Sequence, residues 1–155
     1  MRYLRRCGAV VLSVSILLTL CFQVTASSPV ATTVEHFEDG SYIVTSITEL
    51  PQGDKELFSA VKTKSGIATK KGYNSSNQLM WEFSVHGTFH YDGRSATAIA
   101  SDYSYHVYHS DWSLDSANSS YYSATATATG TFKHLGLFTQ DVTVSISCDA
   151  DGKLS

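Results

Sequence analysis

The feature that most constrains this chain is a strict alternation of apolar and polar residues near its end. Within Gln140–Cys148, every even-numbered residue from Val142 onward is apolar, and the odd-numbered residues after Asp141 are threonine or serine. A period of two is typical of an extended strand with one buried face. Because Cys148 lies on the apolar face, we expect a small core residue there rather than a reactive thiol.

A second strand with the same period is predicted over Leu79–Phe89, where the odd-numbered positions carry large apolar side chains. Gly87 interrupts this pattern, and a glycine inside a strand indicates a bulge or a close approach of another group. The pair Asp92-Gly93 follows and is a strong hairpin turn. We therefore expect Ser95–Ala100 to return antiparallel to the first strand.

The remaining segments also favour strands. Tyr121–Phe132 alternates alanine with threonine, and its alanine face leaves room for large partners such as Trp81 and Phe83. Three further strands are predicted, at Ser41–Glu49, Ser101–His109 and Trp112–Ser116. Turns are predicted at Asn74–Asn77 and Asn118–Ser120, which contain only asparagine and serine.

One segment, Asp54–Gly66, fits two structures. It is consistent with a helix capped by Asp54 and ended by Gly66, and equally with a strand in which Phe58 and Ala60 alternate with polar residues. With the other segments, the pattern predicts an all-β protein, an antiparallel β-sandwich of about seven to nine strands behind an N-terminal signal-peptide helix.

The first 26 residues read as a secretory leader. Met1–Arg6 carries three arginines and no acid, Cys7–Phe22 is almost entirely apolar, and the small-residue site Val24-Thr25-Ala26 follows. This arrangement predicts a signal peptide, residues 1–26, cleaved after Ala26. The alternative is a retained anchor, but the apolar run is shorter than the roughly 20 residues of a membrane span. We expect no stable membrane span after cleavage.

Loss of the leader changes the charge of the protein. Eight basic residues then face 14 acidic ones, so the exported chain carries a formal charge of −6 rather than −3. An acidic protein is a poor ligand for nucleic acid, and we predict none as a partner. The exported chain, residues 27–155, is predicted to be one domain, with a first strand in residues 27–50 and the main part in 51–155. The predicted location is extracellular, with possible retention at the cell surface.

Two of these segments resemble a known family. The run from Leu79 to Ala96, with its Trp-x-Phe-x-Val-x-Gly-Thr-Phe-x-Tyr-Asp-Gly core, and the final stretch from Val142 to Ser155 are similar to small exported proteins of Gram-positive, gut-type bacteria; Lys62–Gly66 fits as well. The resemblance covers roughly Leu50 to Ser155. It implies export and a compact β domain, and it implies no activity, ligand or site residue.

The chain offers little for catalysis or metal binding. His86 and His90 share a strand face and are weak metal candidates, because a site needs three or four converging ligands. No nucleophile elbow, phosphate-binding loop or dinucleotide motif is present. We therefore predict no cofactor, no catalytic residue and a protein that is not an enzyme.

Aromatic residues between positions 103 and 122 are the most suggestive candidates for recognition. Exposed tyrosine and tryptophan combine apolar area with a polar handle, and they often bind sugars or proteins. The predicted binding residues are Tyr105, His106, Tyr108 and Trp112. The alternative places Tyr103, Tyr105 and Val107 in a core-facing stripe. The sequence thus favours a binding module for a cell-surface glycan or a protein partner, with a structural envelope protein or a small hydrolase as alternatives.

Overall fold

The computed structural model describes residues 29–51 and 60–155, which form eight strands in two antiparallel sheets. The first sheet contains, in chain order, β1 (Pro29–His36), β2 (Tyr42–Glu49), β3 (Lys62–Tyr73), β4 (Leu79–Tyr91) and β5 (Ala96–Val107). The second contains β6 (Trp112–Tyr122), β7 (Thr125–His134) and β8 (Phe138–Ser147). The all-β prediction is confirmed. The described residues include no helix of the length and apolarity that a membrane crossing requires.

Two predictions concern segments that lie wholly or partly outside the described residues. The predicted leader, residues 1–26, lies outside the described residues. Of the ambiguous segment Asp54–Gly66, the part from Lys62 onward is strand and belongs to β3. Its beginning, up to Ser59, lies outside the described residues.

The alternating pattern produces the core as expected. In β8 the even-numbered residues from Val142 to Ile146 are buried, and Cys148 just beyond is only 4% exposed. In β4 the odd-numbered residues Trp81, Phe83 and Val85 are buried. Ala126 and Ala128 of β7 are completely buried, so their small side chains let the two sheets approach closely.

The structure contains both features that the sequence suggested for Gly87, a bulge and a close approach of another group. The pairing of β4 with β5 shifts register between Thr88 and Phe89, so a bulge lies next to the glycine. A Cβ atom on Gly87 would also lie 2.7 Å from Cζ of Phe89. Glycine is therefore required here because the ring of Phe89 packs against the backbone.

One sequence expectation about β6 is wrong. Asn118–Ser120 is not a turn but the middle of β6, where Asn118 pairs with Thr129. The reversal comes later, around Ser123, whose φ is 53°. Polar residues with weak strand propensity form a strand here because cross-strand pairing and position in the sheet outweigh local preference. The sequence reasoning also missed β1, whose eight residues are all exposed.

The C-terminal segment closes one end of the sandwich. Leu154 is 2% exposed, and its side chain occupies the space beside Gly66 where a Cβ would lie only 2.3 Å from Cδ1 of the leucine. Ser147 and Ser155 exchange two backbone hydrogen bonds of 2.8 and 3.0 Å. The segment therefore covers apolar side chains between β3 and β8.

The order of the strands fixes which turns meet. Each strand runs antiparallel to the one before it within its sheet. The turns that follow β1, β3 and β5 contribute residues to a single cavity, as do the strand ends on either side of the β7–β8 turn, so these four turns lie at the same end of the sandwich. Loops gathered at one end of a β-sandwich are a common place for a binding site.

Candidate binding pocket

The cavity at this end lies between the two sheets and has a volume of about 650 Å³. One wall is a row of cross-strand partners on the first sheet, Ile43, Gly72 and Trp81. The other wall is a row on the second sheet, Trp112, His134 and Phe138. The volume is within the range of pockets that bind small molecules.

One residue that lines the pocket, Trp81, is buried in the core. Trp81 is 1% exposed and stacks on Phe132, with ring centroids 4.9 Å apart and an interplanar angle of 20°. Gly72 makes this possible, because a Cβ there would lie 2.4 Å from Cε2 of Trp81. Part of the pocket lining is therefore a buried tryptophan that packs against a bare backbone.

Two further ring pairs border the pocket. Trp112 stacks on His134 at 4.8 Å and 16°, so each ring covers one face of the other. Tyr42 stacks on Tyr73 at 4.7 Å and 6°. Each pair consists of direct or near neighbours across adjacent strands, the arrangement in which aromatic side chains interact most strongly in a sheet.

Polar groups at the rim come from the turns. Asp39 lies in the β1–β2 turn, where its Oδ1 accepts hydrogen bonds from Ser41 Oγ at 2.6 Å and Ser41 N at 2.9 Å. These hydrogen bonds hold the pKa of Asp39 below its ordinary value, and the hydrogen bond from the Ser41 side chain has the largest effect. Its carboxyl is therefore ionised at neutral pH.

The β5–β6 turn contributes the other charged groups of the rim. His109 Nδ1 lies 3.5 Å from Asp111 Oδ2. The backbone oxygen of Asp111 accepts a 2.7 Å hydrogen bond from Leu135 N, which joins this turn to the β7–β8 turn. Among residues 29–51 and 60–155, those that line the pocket include Asp39 and Asp111 but neither lysine nor arginine. The pocket rim is thus negatively polarised.

The four residues predicted to bind do not converge on one surface. Trp112 lines the pocket. His106 and Tyr108 lie on the outer face of the first sheet, with their ring centroids 4.3 Å apart. Tyr108 Oη donates to Glu82 Oε2 at 3.4 Å, and the same carboxylate oxygen lies 3.0 Å from Lys71 Nζ, which raises the pKa of that lysine.

Tyr105 lies on the inner face, opposite to His106, and is 51% exposed. Its neighbours on that face, Tyr103 and Val107, are half-buried and pack against the core. The alternative prediction, a core-facing stripe of Tyr103, Tyr105 and Val107, therefore holds for Tyr103 and Val107 but not for Tyr105.

The weak metal candidates and the thiol have ordinary surroundings. His86 Nε2 shares a 2.9 Å hydrogen bond with Ser104 Oγ. Within the described part of the chain, no group of three or more potential ligands is placed to hold a metal ion. Cys148 is buried, as expected, and burial raises the pKa of its thiol.

Most of the pocket residues escaped the sequence reasoning. His134, Phe138, Tyr42 and Asp39 are far apart in the chain and carry no motif. The signal that identifies them is topological, because turns after odd-numbered strands share an end once all strands are placed. Because the sequence reasoning missed β1, it could not assign the later turns to the correct end of the sandwich.

No family model, curated protein or solved structure matches this chain. The function must therefore be argued from the pocket itself.

Proposed function

We propose that this chain is an exported, non-enzymatic binding module that holds a neutral cell-surface glycan in the pocket between its sheets. One observation carries the proposal: two stacked aromatic pairs and a buried tryptophan line a cavity of about 650 Å³ whose rim is polar. Export is inferred from the leader-like sequence of residues 1–26.

The chemistry of the walls suits a sugar ring. The apolar C–H face of a pyranose packs on an aromatic ring, and Trp112 is an aromatic residue that lines the cavity. The hydroxyl groups at the edge of the sugar need donors and acceptors, and Asn74, Gln140 and Asp39 lie around the same cavity. A few polar groups around apolar walls orient a ligand without covalent chemistry.

Charge favours a neutral ligand over an acidic one. The carboxylates of Asp39 and Asp111 face no lysine or arginine among the lining residues. A uronic acid or phosphate group entering the pocket would meet the like charge of these two exposed carboxylates, and this repulsion disfavours its binding. Neutral hexoses and N-acetylated sugars avoid this repulsion.

A small hydrolase is the second candidate, because the pocket brings carboxyl groups and histidines to one cavity. Glycoside hydrolysis needs a general acid whose pKa is raised, and the pKa of Asp39 is instead lowered by its hydrogen bonds. Binding is therefore favoured. Release of reducing sugar from a bound glycan, abolished in Asp111→Asn, would support hydrolysis instead.

The chain provides its own reporter for a binding experiment. Its two tryptophans, Trp81 and Trp112, both line the pocket, so tryptophan fluorescence follows occupancy of this site. We expect a panel of neutral oligosaccharides and insoluble cell-wall glycan to include at least one that shifts the emission and retains the protein. The full chain is expressed, and the protein is purified in whichever form accumulates after any removal of the leader.

Variants distinguish the pocket from the surface predicted by sequence. Trp112→Ala and Phe138→Ser should weaken retention about tenfold or more, since each removes an aromatic contact of order 1–2 kcal/mol. Tyr105→Ala should bind as wild type, and Tyr122→Ala, 87% exposed at the opposite end, is the matched control. Equal retention of all four variants, or no retained glycan at all, would contradict the proposal.

A further inference from the structure

The β7–β8 turn exposes a cluster of large apolar side chains at the mouth of the pocket. Leu135 is 57% exposed, Leu137 80% and Phe138 66%. Solvent-exposed leucines at a hairpin tip are unusual in a soluble domain, where contiguous apolar surface marks an interaction site. We call Leu135–Phe138 the apolar tip.

The backbone of the apolar tip is strained by its sequence. Leu135 and Gly136 have φ values of 54° and 68°, and Leu137 N donates to His134 O at 3.1 Å. This is a two-residue turn with both central residues in the left-handed region, where asparagine and glycine are favoured and leucine is not. A strained residue that also exposes apolar surface indicates a functional constraint.

The apolar tip is continuous with the pocket. Phe138 belongs to both, and Phe37, 41% exposed, lines the cavity from the β1–β2 turn. The hydrogen bond from Leu135 N to Asp111 O fixes the tip against the polar rim. A ligand whose ring enters the pocket would therefore have its remaining part against Leu137 and Phe138.

Area and charge argue against a second copy of the chain as the occupant. Three side chains offer on the order of a few hundred Å², well below the roughly 1,200 Å² that a stable interface buries. Two copies meeting tip to tip would also bring their Asp39 and Asp111 carboxylates together. An uncharged alkyl chain meets neither obstacle.

We propose that the pocket and the apolar tip together bind an amphiphilic glycoside, with its neutral sugar in the pocket and its alkyl chain along the tip. This inference rests on the proposed function, since the sugar is what places the chain. It deepens that function by naming the ligand class as a glycolipid rather than a free polysaccharide.

The test compares methyl and octyl glycosides of glucose, galactose and N-acetylglucosamine, titrated below their micelle concentrations and followed by tryptophan fluorescence. For a sugar that binds, we expect the octyl glycoside to bind about tenfold tighter or more, because several methylene groups leave water. Leu137→Ser should abolish this gain and leave the affinity for the methyl glycoside unchanged. Tyr122→Ser, at the opposite end, should keep the gain.

Each outcome distinguishes the two proposals. If methyl and octyl glycosides bind equally, or if Leu137→Ser keeps the gain, the inference is wrong and the glycan proposal stands. If no glycoside binds in either form, the inference is wrong, and the proposed function is overturned as well only if the glycan panel described above also shows no retained glycan. Sedimentation velocity without ligand tests the competing occupant. A dimer that forms in the wild type and is absent in Leu137→Ser would show that a second copy of the chain covers the apolar tip, and the inference would be wrong.

Discussion

At the scale of single residues, Gly72 makes room for one of the aromatic side chains that line the pocket. The absence of a side chain allows the indole of Trp81 to lie against the backbone of β3, where a Cβ would be 2.4 Å from Cε2 and 2.7 Å from Nε1. Trp81 also lines the cavity. One residue thus links core packing to the shape of the site.

Gly72→Ala should therefore lower the free energy of unfolding by roughly 1–3 kcal/mol, since overpacking forces the indole to move. Urea denaturation measures this loss, and the tryptophan emission of the folded variant should shift. Gly130→Ala is the matched control, because its Cβ would lie 3.0 Å from the ring of Phe83 and requires a smaller adjustment. A loss at Gly130 equal to that at Gly72 would show that the contact with Trp81 is not what matters.

At the scale of elements, the β7–β8 turn combines an unfavourable residue with a favourable one. Gly136 suits a positive φ, whereas Leu135 at 54° loses free energy relative to asparagine at the same position. The side chain of Leu135 is more than half exposed, so little packing is lost when it is replaced. The hairpin is thus less stable than its geometry allows.

Leu135→Asn should raise the free energy of unfolding by about 1 kcal/mol, because asparagine adopts the left-handed conformation at a lower cost than leucine. Thermal unfolding followed by circular dichroism provides the measurement. Leu137→Asn, at a neighbouring exposed position without a positive φ, should give no such gain. A destabilised Leu135→Asn variant would mean that the leucine side chain packs more than its exposure indicates.

The sequence was informative about elements where burial enforces a period of two. It predicted β4 and β8 closely, because each buries every second residue. It did not predict β1, which buries none, and it placed a turn inside β6, where Asn118 is stabilised by its pairing with Thr129. A strand held by its neighbours rather than by its own apolar face leaves no local pattern.

At the scale of the whole molecule, stability should be uneven across the first sheet. β4 is paired on both sides, with β3 and with β5, and its odd-numbered residues form much of the core. β1 is outermost in the strand order and is exposed along its length. The two strands therefore differ in how much buried surface their opening disrupts.

Amide hydrogen exchange should show this gradient. Those β1 amides that hydrogen-bond to β2 should exchange at least about 100-fold faster than amides of β4, because β1 can detach without opening the core. β8 is the control, since it also has only one long partner, β7, but buries Val142, Val144 and Ile146. Equal protection of β1 and β4 would indicate that the sheet opens only as a unit.

The sequence by itself determined the class of fold, the face of each strong strand and the burial of Cys148, because these follow from the local alternation of apolar residues. The pocket was decided by the tertiary structure. Trp81 and Trp112 are 31 positions apart, and Phe37 and Phe138 are 101 positions apart, yet each pair lines one cavity. Which turns meet depends on the number and pairing of all strands, and non-local pairing leaves no trace in any single segment.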